Sequence, residues 1–211
     1  MIDRPLEFAA LPESARLIVN RLKTAGHEAY FVGGCVRDLY RGIVPQDYDI
    51  VTSAHPDEVC SLFTHTVPVG ISFGVVLVIE KGQKYEVATF RTETGYLDGR
   101  RPTQVTFATA EEDVRRRDFT INGLLFDPGK GRLIDYVGGC ADIEGRIVRT
   151  IGDPERRFAE DHLRMLRAVR FTANLGYDLD LDALMAIKDH GRDINRISAE
   201  RIRDELTKMV T

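Results

Sequence analysis

The spacing of hydrophobic and polar residues divides the chain into two parts with different predicted secondary structure. In the first part, a spacing of three or four residues predicts helices, and alternation at every second residue predicts strands. The predicted helices are near 13–25, 36–40 and 56–62, and the predicted strands near 29–32, 48–51, 74–80, 84–89 and 105–107. This part is therefore expected to be a sheet with helices packed around it.

From Asp153 onward the strand patterns stop and helical patterns continue. They predict helices near 153–175, 181–190 and 199–209, with Gly176 and Gly191 at helix ends and Ser198 as an N-cap. On one continuous helix through this region, the core side would carry Phe158, Met165, Leu166, Val169 and Ala173. We therefore predict two domains, residues 1–150 and residues 151–211.

Composition limits the classes of protein to be considered. The 211 residues are 43% hydrophobic, enough for a sizeable core, and no run approaches the roughly 20 apolar residues of a membrane span. We expect a cytoplasmic protein without a membrane contact. The three cysteines are too few and too widely spaced for a disulfide framework or a zinc site.

The net charge of −4 excludes the bulk electrostatic attraction by which basic proteins hold long nucleic acids. Any contact with RNA must then be local. The arginines form clusters at 100–101, 115–117 and 156–157 and at 164, 167 and 170.

The segment 33–52 contains a glycine pair, an arginine and two aspartates. In extended chain, Asp47 and Asp49 point to the same side, where two carboxylates repel unless a cation lies between them. Mg²⁺ is usually held by one or two carboxylates together with phosphates and water. Gly33 and Gly34 precede a short helix whose first amides would face an anion, and Arg37 would reach a triphosphate. The alternative is a glycine turn and two surface aspartates.

Two further segments carry charged residues that could extend the same site, one a carboxylate and the other a run of arginines. Glu86 lies on a predicted strand that would run beside the Asp47 strand, although a solvent-facing Glu is an equally ordinary interpretation. The three arginines at 115–117 precede Asp118 and need an anionic neighbour, with Phe119 and Ile121 expected to point inward. A structural salt-bridge cluster is the alternative for Arg115.

Asp161 and Arg164 would lie one helical turn apart, so an intrahelical ion pair is the simplest interpretation. The pair also has the chemistry to read a base, because a carboxylate accepts from an exocyclic amino group and a guanidinium donates to a ring nitrogen or carbonyl.

Five motifs occur in the order seen in one family. They are Gly-Gly-x-Val-Arg-Asp from Gly33, Asp-x-Asp from Asp47, Glu-Val-Ala-Thr-Phe-Arg from Glu86, Arg-Arg-Asp-Phe-Thr-Ile-Asn from Arg116, and Glu-Asp-x-x-Arg-x-x-Arg-Ala-Val-Arg-Phe from Glu160. The chain thus resembles the class II tRNA nucleotidyltransferase and bacterial poly(A) polymerase family, of the polymerase-beta-like nucleotidyltransferase superfamily. The resemblance implies an α+β fold, in which a head with a mixed sheet and flanking helices is followed by an all-helical neck.

The resemblance also implies roles for individual residues. The catalytic residues would be Asp47, Asp49 and Glu86, with the two aspartates holding Mg²⁺. The nucleotide-binding residues would be Gly33, Gly34, Arg37, Arg117, Asp118, Asn122, Asp161, Arg164, Arg167 and Arg170. The segment 91–103 would be a flexible loop that helps the pocket switch between nucleotides, with a plain solvated connection as the alternative.

The implied activity is template-independent addition of C and/or A residues to the 3′ end of tRNA from CTP and ATP. A poly(A) polymerase, an enzyme adding only C or only A, and an RNA- or nucleotide-binding module without catalysis remain alternatives. No protein partner is expected. Family members continue through helical body and tail regions that grip the tRNA acceptor stem, and the resemblance covers the head and neck. The chain is thus expected to be a piece of a longer enzyme or a short natural variant.

Overall fold

The computed structural model describes residues 11–70, 73–96 and 102–210. The helices are α1 (Glu13–Thr24), α2 (Gly34–Tyr40), α3 (Pro56–Leu62), α4 (Ala110–Arg115), α5 (Gly139–Gly145), α6 (Pro154–Glu160), α7 (Leu163–Leu175), α8 (Leu181–His190) and α9 (Ala199–Val210). The strands are β1 (Ala29–Val32), β2 (Asp49–Thr52), β3 (Thr66–Gly70), β4 (Val75–Glu80), β5 (Gln83–Thr89), β6 (Arg91–Tyr96), β7 (Pro102–Phe107), β8 (Leu124–Asp127), β9 (Arg132–Asp135), β10 (Ile147–Val148) and β11 (Asp178–Leu179).

A seven-stranded mixed sheet with the order β3-β4-β5-β2-β1-β8-β9 forms the first part of the chain. Strand β2 runs parallel to β5 and antiparallel to β1. Successive side chains alternate between two apolar layers, so Phe31 and Ile50 pack with α1 and α2, while Val32 and Val51 pack with α4 on the other face. The predicted α+β fold of a mixed sheet with flanking helices is confirmed.

The predicted helix over 153–175 is wrong, because the chain breaks between α6 and α7. Asp161 has an extended backbone (φ −147°, ψ 104°), and its carboxylate accepts the Leu163 amide at 3.1 Å. Because of this break, side chains of α7 differ in burial from what one continuous helix predicts. Val169 is 45% exposed, and Phe171 instead packs edge-on against Phe119 at 5.5 Å between ring centroids. Ala173 is likewise exposed rather than in the core.

Two further expectations need correction. The segment 91–103 is largely a hairpin, since β6 and β7 pair antiparallel; residues 97–101 of the expected loop lie outside the described part. The second part of the chain is not entirely helical, because β11 pairs in parallel with β10. That pair joins 147–148 to 178–179, on either side of the predicted boundary at 150.

Other local expectations are confirmed. Helix α1 matches the predicted 13–25, Phe119 and Ile121 are fully buried, and Gly176 ends α7 in the left-handed conformation. Cys35, Cys60 and Cys140 carry free thiols. None of the helices in the described ranges is both long enough and apolar enough to cross a membrane.

Candidate functional site

A cleft of about 680 Å³ opens beside the start of β2, between α2, α7 and the end of α9. Ten of the residues predicted from the sequence line it: Gly33, Gly34, Arg37, Asp47, Asp49, Arg117, Asp118, Asn122, Arg167 and Arg170. Three predicted residues, Glu86, Asp161 and Arg164, are not part of the lining. Among these ten, the fold brings together three carboxylates and four arginines that are up to 133 positions apart in the sequence.

Gly33 connects β1 to α2 and has a φ of +78°, a conformation that costs a side-chain-bearing residue energy. A Cβ at this position would lie 3.7 Å from Arg117 Nη1 and 3.8 Å from Asp49 Oδ2. A cation and an anion thus flank the bare backbone at the mouth of the cleft. The glycine keeps the space between them open.

The two aspartates sit where β2 begins, and Asp47 is exposed in the preceding loop. The β2–β5 pairing sets Ile50 opposite Val87, which brings Asp49 beside Glu86. Partial burial of the carboxyl raises the pKa of Asp49, and the charges of Glu86 and Asp47 raise it further against the opposing effect of Arg117. The carboxylates therefore repel one another.

This repulsion is relieved by a bound cation, so the donor set suits a hard metal ion. Within the described ranges, no three His, Cys, Asp or Glu side chains are arranged as a metal cage. Two carboxylates at an open cleft fit Mg²⁺, which keeps several waters and takes further oxygens from substrate phosphates. Asp47 and Asp49 are the residues that could hold it.

A buried chain of hydrogen bonds forms the floor of the cleft. Arg37 Nη1 donates to Asn122 Oδ1 at 2.8 Å, and Asn122 Nδ2 donates to Asp118 Oδ1 at 3.3 Å. Asp118 then accepts from Arg167 Nε at 2.8 Å and from the Phe119 amide at 2.8 Å. Burial alone would raise the pKa of Asp118, but the Arg167 guanidinium lowers it to about 2. Four of the predicted residues thus form one connected network.

The α7 wall of the cleft carries positive charge held by a carboxylate from α9. Arg170 Nε donates to Glu205 Oε2 at 2.6 Å, and Arg167 Nη1 lies 3.6 Å from Glu205 Oε1. The Arg170 guanidinium stacks over the Phe171 ring at 4.2 Å. These contacts fix both cations in place, which reduces the entropy lost when they meet an anionic ligand.

Asp113, a buried residue of α4, positions Arg117. Arg117 Nη2 donates to Asp113 Oδ2 at 3.0 Å. Arg115, by contrast, points to solvent and pairs with Glu111 at 2.7 Å. The salt-bridge interpretation of Arg115 is confirmed.

Asp161 and Arg164 do not form the pair expected on a single helix. Asp161 accepts from Arg201 Nη2 of α9 at 2.9 Å, and Arg164 donates to Glu160 Oε2 at 2.7 Å. Arg164 is 8% exposed and also lies 3.4 Å from the Arg116 carbonyl oxygen. The break at 161 separates the two side chains, so the intrahelical ion pair is absent.

Several residues outside the predicted set also serve this cleft, among them Asp113, Phe171, Glu205 and Lys208. Asp113 was detectable, since it lies three and four residues before Arg116 and Arg117, the spacing of helical ion pairs. The sequence Thr-Ala-Glu-Glu from Thr109 is moreover a capping box that predicts α4. No local pattern indicated Glu205 or Lys208, because their partners are distant in the sequence.

Comparison with known families agrees with this fold. The family model described as the poly A polymerase head domain matches residues 29–149, and a second model, described as a probable RNA and SrmB- binding site of polymerase A, matches residues 176–211. The chain belongs to the poly A polymerase head-domain family.

The relatives point to one kind of enzyme within that family. The chain is 50% identical over 193 residues to the CCA-adding enzyme of Lactobacillus helveticus, covering 91% of this chain and 48% of that protein. It is 48% identical over 207 residues to the CCA-adding enzyme of Lactiplantibacillus plantarum, covering 98% and 50%. The chain thus spans about half the length of the curated relatives it matches.

Solved structures of similar proteins share the fold over nearly the whole chain. The Bacillus stearothermophilus CCA-adding enzyme in complex with CTP superimposes with a TM-score of 0.84 at 44% identity, covering 99% of this chain and 49% of that one. The Thermotoga maritima CCA-adding enzyme complexed with tRNA gives a TM-score of 0.80 at 25% identity, covering 98% and 50%.

Proposed function

We propose that the chain is the head and neck of a CCA-adding enzyme, which transfers nucleotides from CTP and ATP to the 3′ end of tRNA without a template. One observation carries this proposal: Asp47 and Asp49 share a cleft with Arg37, Arg117 and Arg167. Paired carboxylates suit a divalent cation, and clustered guanidiniums suit a polyphosphate. The CTP and tRNA complexes of the similar enzymes support this choice of substrates.

Each wall of the cleft has a separate task in this proposal. Arg117 and the open backbone at Gly33 would orient the triphosphate, and Arg37, whose guanidinium is fixed by Asn122, would add a second positive charge. Holding the reactants in place in this way accounts for a large part of the rate of group transfer. Asp47 and Asp49 would hold Mg²⁺, which when bound lowers the pKa of the attacking hydroxyl and stabilises charge on the leaving pyrophosphate.

The α7 side would contact the nucleoside. Arg167 and Arg170 reach the cleft directly, and Asp118 and Asn122 would shape the ribose and phosphate side. Base reading by Asp161 and Arg164 requires both to present hydrogen-bonding groups while paired with Arg201 and Glu160. A carboxylate retains lone pairs and a guanidinium retains N–H groups in such pairs, but neither residue lines the cleft, so a base would have to reach beyond the lining to meet them.

The proposed division into domains 1–150 and 151–211 and the cytoplasmic location remain predictions. Glu86 is proposed to act on Asp49 through its charge, from the neighbouring strand.

The direct test is incorporation of labelled CTP and ATP, separately and together, into three RNAs in the presence of Mg²⁺. The RNAs are tRNA lacking CCA, tRNA ending in CC, and an unstructured RNA. Addition of a defined C-C-A sequence to tRNA alone is the expected result. Long A tails on every RNA would identify a poly(A) polymerase instead. Nucleotide binding without incorporation would mean either that turnover needs regions such as the longer relatives have, or that the chain is a nucleotide-binding module.

A further inference from the structure

The Asp113 carboxylate connects the base of the β6–β7 hairpin to Arg117 in the cleft. Its side chain is 1% exposed. Oδ1 accepts the backbone amide of Arg91 at 3.2 Å and Arg116 Nη2 at 2.7 Å, and Oδ2 accepts Arg117 Nη2 at 3.0 Å and Nε at 3.3 Å. One buried carboxylate thus serves a strand, the end of α4 and a cleft residue.

On one side of this carboxylate lies the base of the β6–β7 hairpin. Arg91 is the first residue of β6, and its amide is bound by Asp113 while its carbonyl oxygen accepts Arg116 Nε at 2.8 Å. On the partner strand, Phe107 lies opposite Arg91 at the same base and contacts the His55 ring at 4.2 Å between centroids. The position of the hairpin base therefore depends on Asp113 and Arg116.

On the other side lies the cleft. Asp113 accepts hydrogen bonds from Nε and Nη2 of Arg117. Nη1 of the same guanidinium is directed to the space beside Gly33, 3.7 Å from where a Cβ on Gly33 would lie. Two donors on one carboxylate oxygen fix the plane of a guanidinium, which sets the direction of the remaining one. Arg117 cannot turn without breaking both bonds.

We propose that Asp113 is a positioning residue that holds Arg117 toward the nucleotide and couples it to the base of the β6–β7 hairpin. The proposal rests on the proposed function in one respect, since it takes a nucleotide as the ligand of Arg117. Burial opposes ionisation of Asp113, but Arg117 and Arg116 hold its pKa below the ordinary value, so the carboxylate is charged at neutral pH. A shift of the hairpin then alters the direction of Arg117.

The same helix supplies a matched control. Glu111 also pairs with an arginine, Arg115, but both side chains are about half exposed and neither lines the cleft. Changing Glu111→Gln removes one carboxylate from α4, as Asp113→Asn does, without touching Arg91 or Arg117.

The first measurement is hydrogen exchange at the Arg91 amide and along β6, which needs no nucleotide. Asp113→Asn is expected to speed exchange there by about tenfold or more, and Glu111→Gln to leave it unchanged. Because coupling is reciprocal, Arg117→Met should also speed exchange at Arg91. That second variant keeps the test available should Asp113→Asn fail to fold. Unchanged exchange in the folded variants would overturn the coupling.

The second measurement is CTP affinity by calorimetry in a double-mutant cycle. Asp113→Asn and Arg117→Met are each expected to weaken CTP binding by about 10- to 100-fold, and the double variant to bind no more weakly than Arg117→Met alone. Additive losses would mean that Asp113 acts on the fold rather than through Arg117, and would overturn the proposal. Absence of CTP binding by the unaltered chain would instead count against the proposed function, while the exchange experiment would still decide the coupling.

Discussion

Arg167 of α7 donates two hydrogen bonds to a single oxygen of Asp118, from Nε at 2.8 Å and from Nη2 at 2.5 Å. The two residues are 49 positions apart and join the sheet domain to the helices that follow. Since Asp118 also accepts from Asn122, and Asn122 from Arg37, this ion pair anchors the floor of the cleft. Its loss should affect both stability and ligand binding.

We predict that Asp118→Asn destabilises the protein in a pH-dependent way. The pKa of Asp118 is lowered from 3.8 to about 2, so its ionised form stabilises the fold by about 2 kcal/mol above pH 3.8. This contribution is lost as the pH falls toward about 2. Urea unfolding should therefore show a deficit of about 2 kcal/mol for the variant at pH 7 that shrinks in acid. A deficit in the free energy of unfolding that is as large in acid as at pH 7 would contradict this account.

The control for that experiment is Asp204→Asn. Asp204 also pairs with an arginine, Arg203, but both side chains are more than half exposed. Such surface pairs contribute about 0–1 kcal/mol, so this variant should unfold like the unaltered protein at both pH values.

Asp47→Ala is expected to abolish incorporation of CTP and ATP, by about 10³-fold or more, without loss of the fold. Asp47 is exposed and lies outside the regular elements, so its removal leaves the core untouched. Circular dichroism and incorporation into tRNA together test this. Asp57→Ala, an exposed aspartate on α3, should retain full incorporation. Retained activity in Asp47→Ala would exclude the metal assignment.

Asp49→Asn is predicted to stabilise the protein when no divalent cation is present. The raised pKa means that the folded state disfavours the ionised carboxyl, so ionisation costs stability above that pKa. The advantage of the variant should appear at pH 7 and vanish as the pH falls and Asp49 protonates. In thermal unfolding, Mg²⁺ at tenfold its Kd should stabilise the unaltered protein by about 1.4 kcal/mol, and the variant by less. A variant less stable than the parent at pH 7 in chelator would refute this.

Gly33→Ala should cost about 1–2 kcal/mol of stability, because alanine is strained at a φ of +78°. It should also weaken CTP binding, since the added methyl would lie between Arg117 and Asp49. Gly26→Ala has a comparable φ of +92° and nothing within 4 Å of the new methyl. Calorimetry should then show similar stability losses for both variants but a change in CTP affinity for Gly33→Ala alone. Equal affinities would remove Gly33 from the site.

The sequence was sufficient for features that depend on neighbouring residues. The period of the apolar positions located α1, and the strand patterns located β1 and β2 to within a residue. Ten residues of the cleft are among those that the family resemblance of the motifs implies. Their roles remain proposals.

Features that depend on tertiary contacts were not predictable in the same way. The helical period of the apolar residues predicts one helix through Asp161. The Asp161 carboxylate instead caps the Leu163 amide and pairs with Arg201, so the chain bends there. After the bend Met165 is buried as expected, but Val169 is exposed and Arg164 is buried, contrary to the faces expected on one continuous helix. The period of the apolar residues indicates neither the Leu163 amide nor Arg201 as a partner of Asp161.

The short pair β10–β11 has a consequence for how the molecule unfolds. It joins residues before and after 150, and Phe171 of α7 completes the apolar cluster that contains Phe119. Removing the helices would therefore leave a strand edge and a buried aromatic ring without their cover. The sheet and the first helices after it should melt in a single cooperative transition, and a fragment cut at residue 150 would be a fraction of a folding unit.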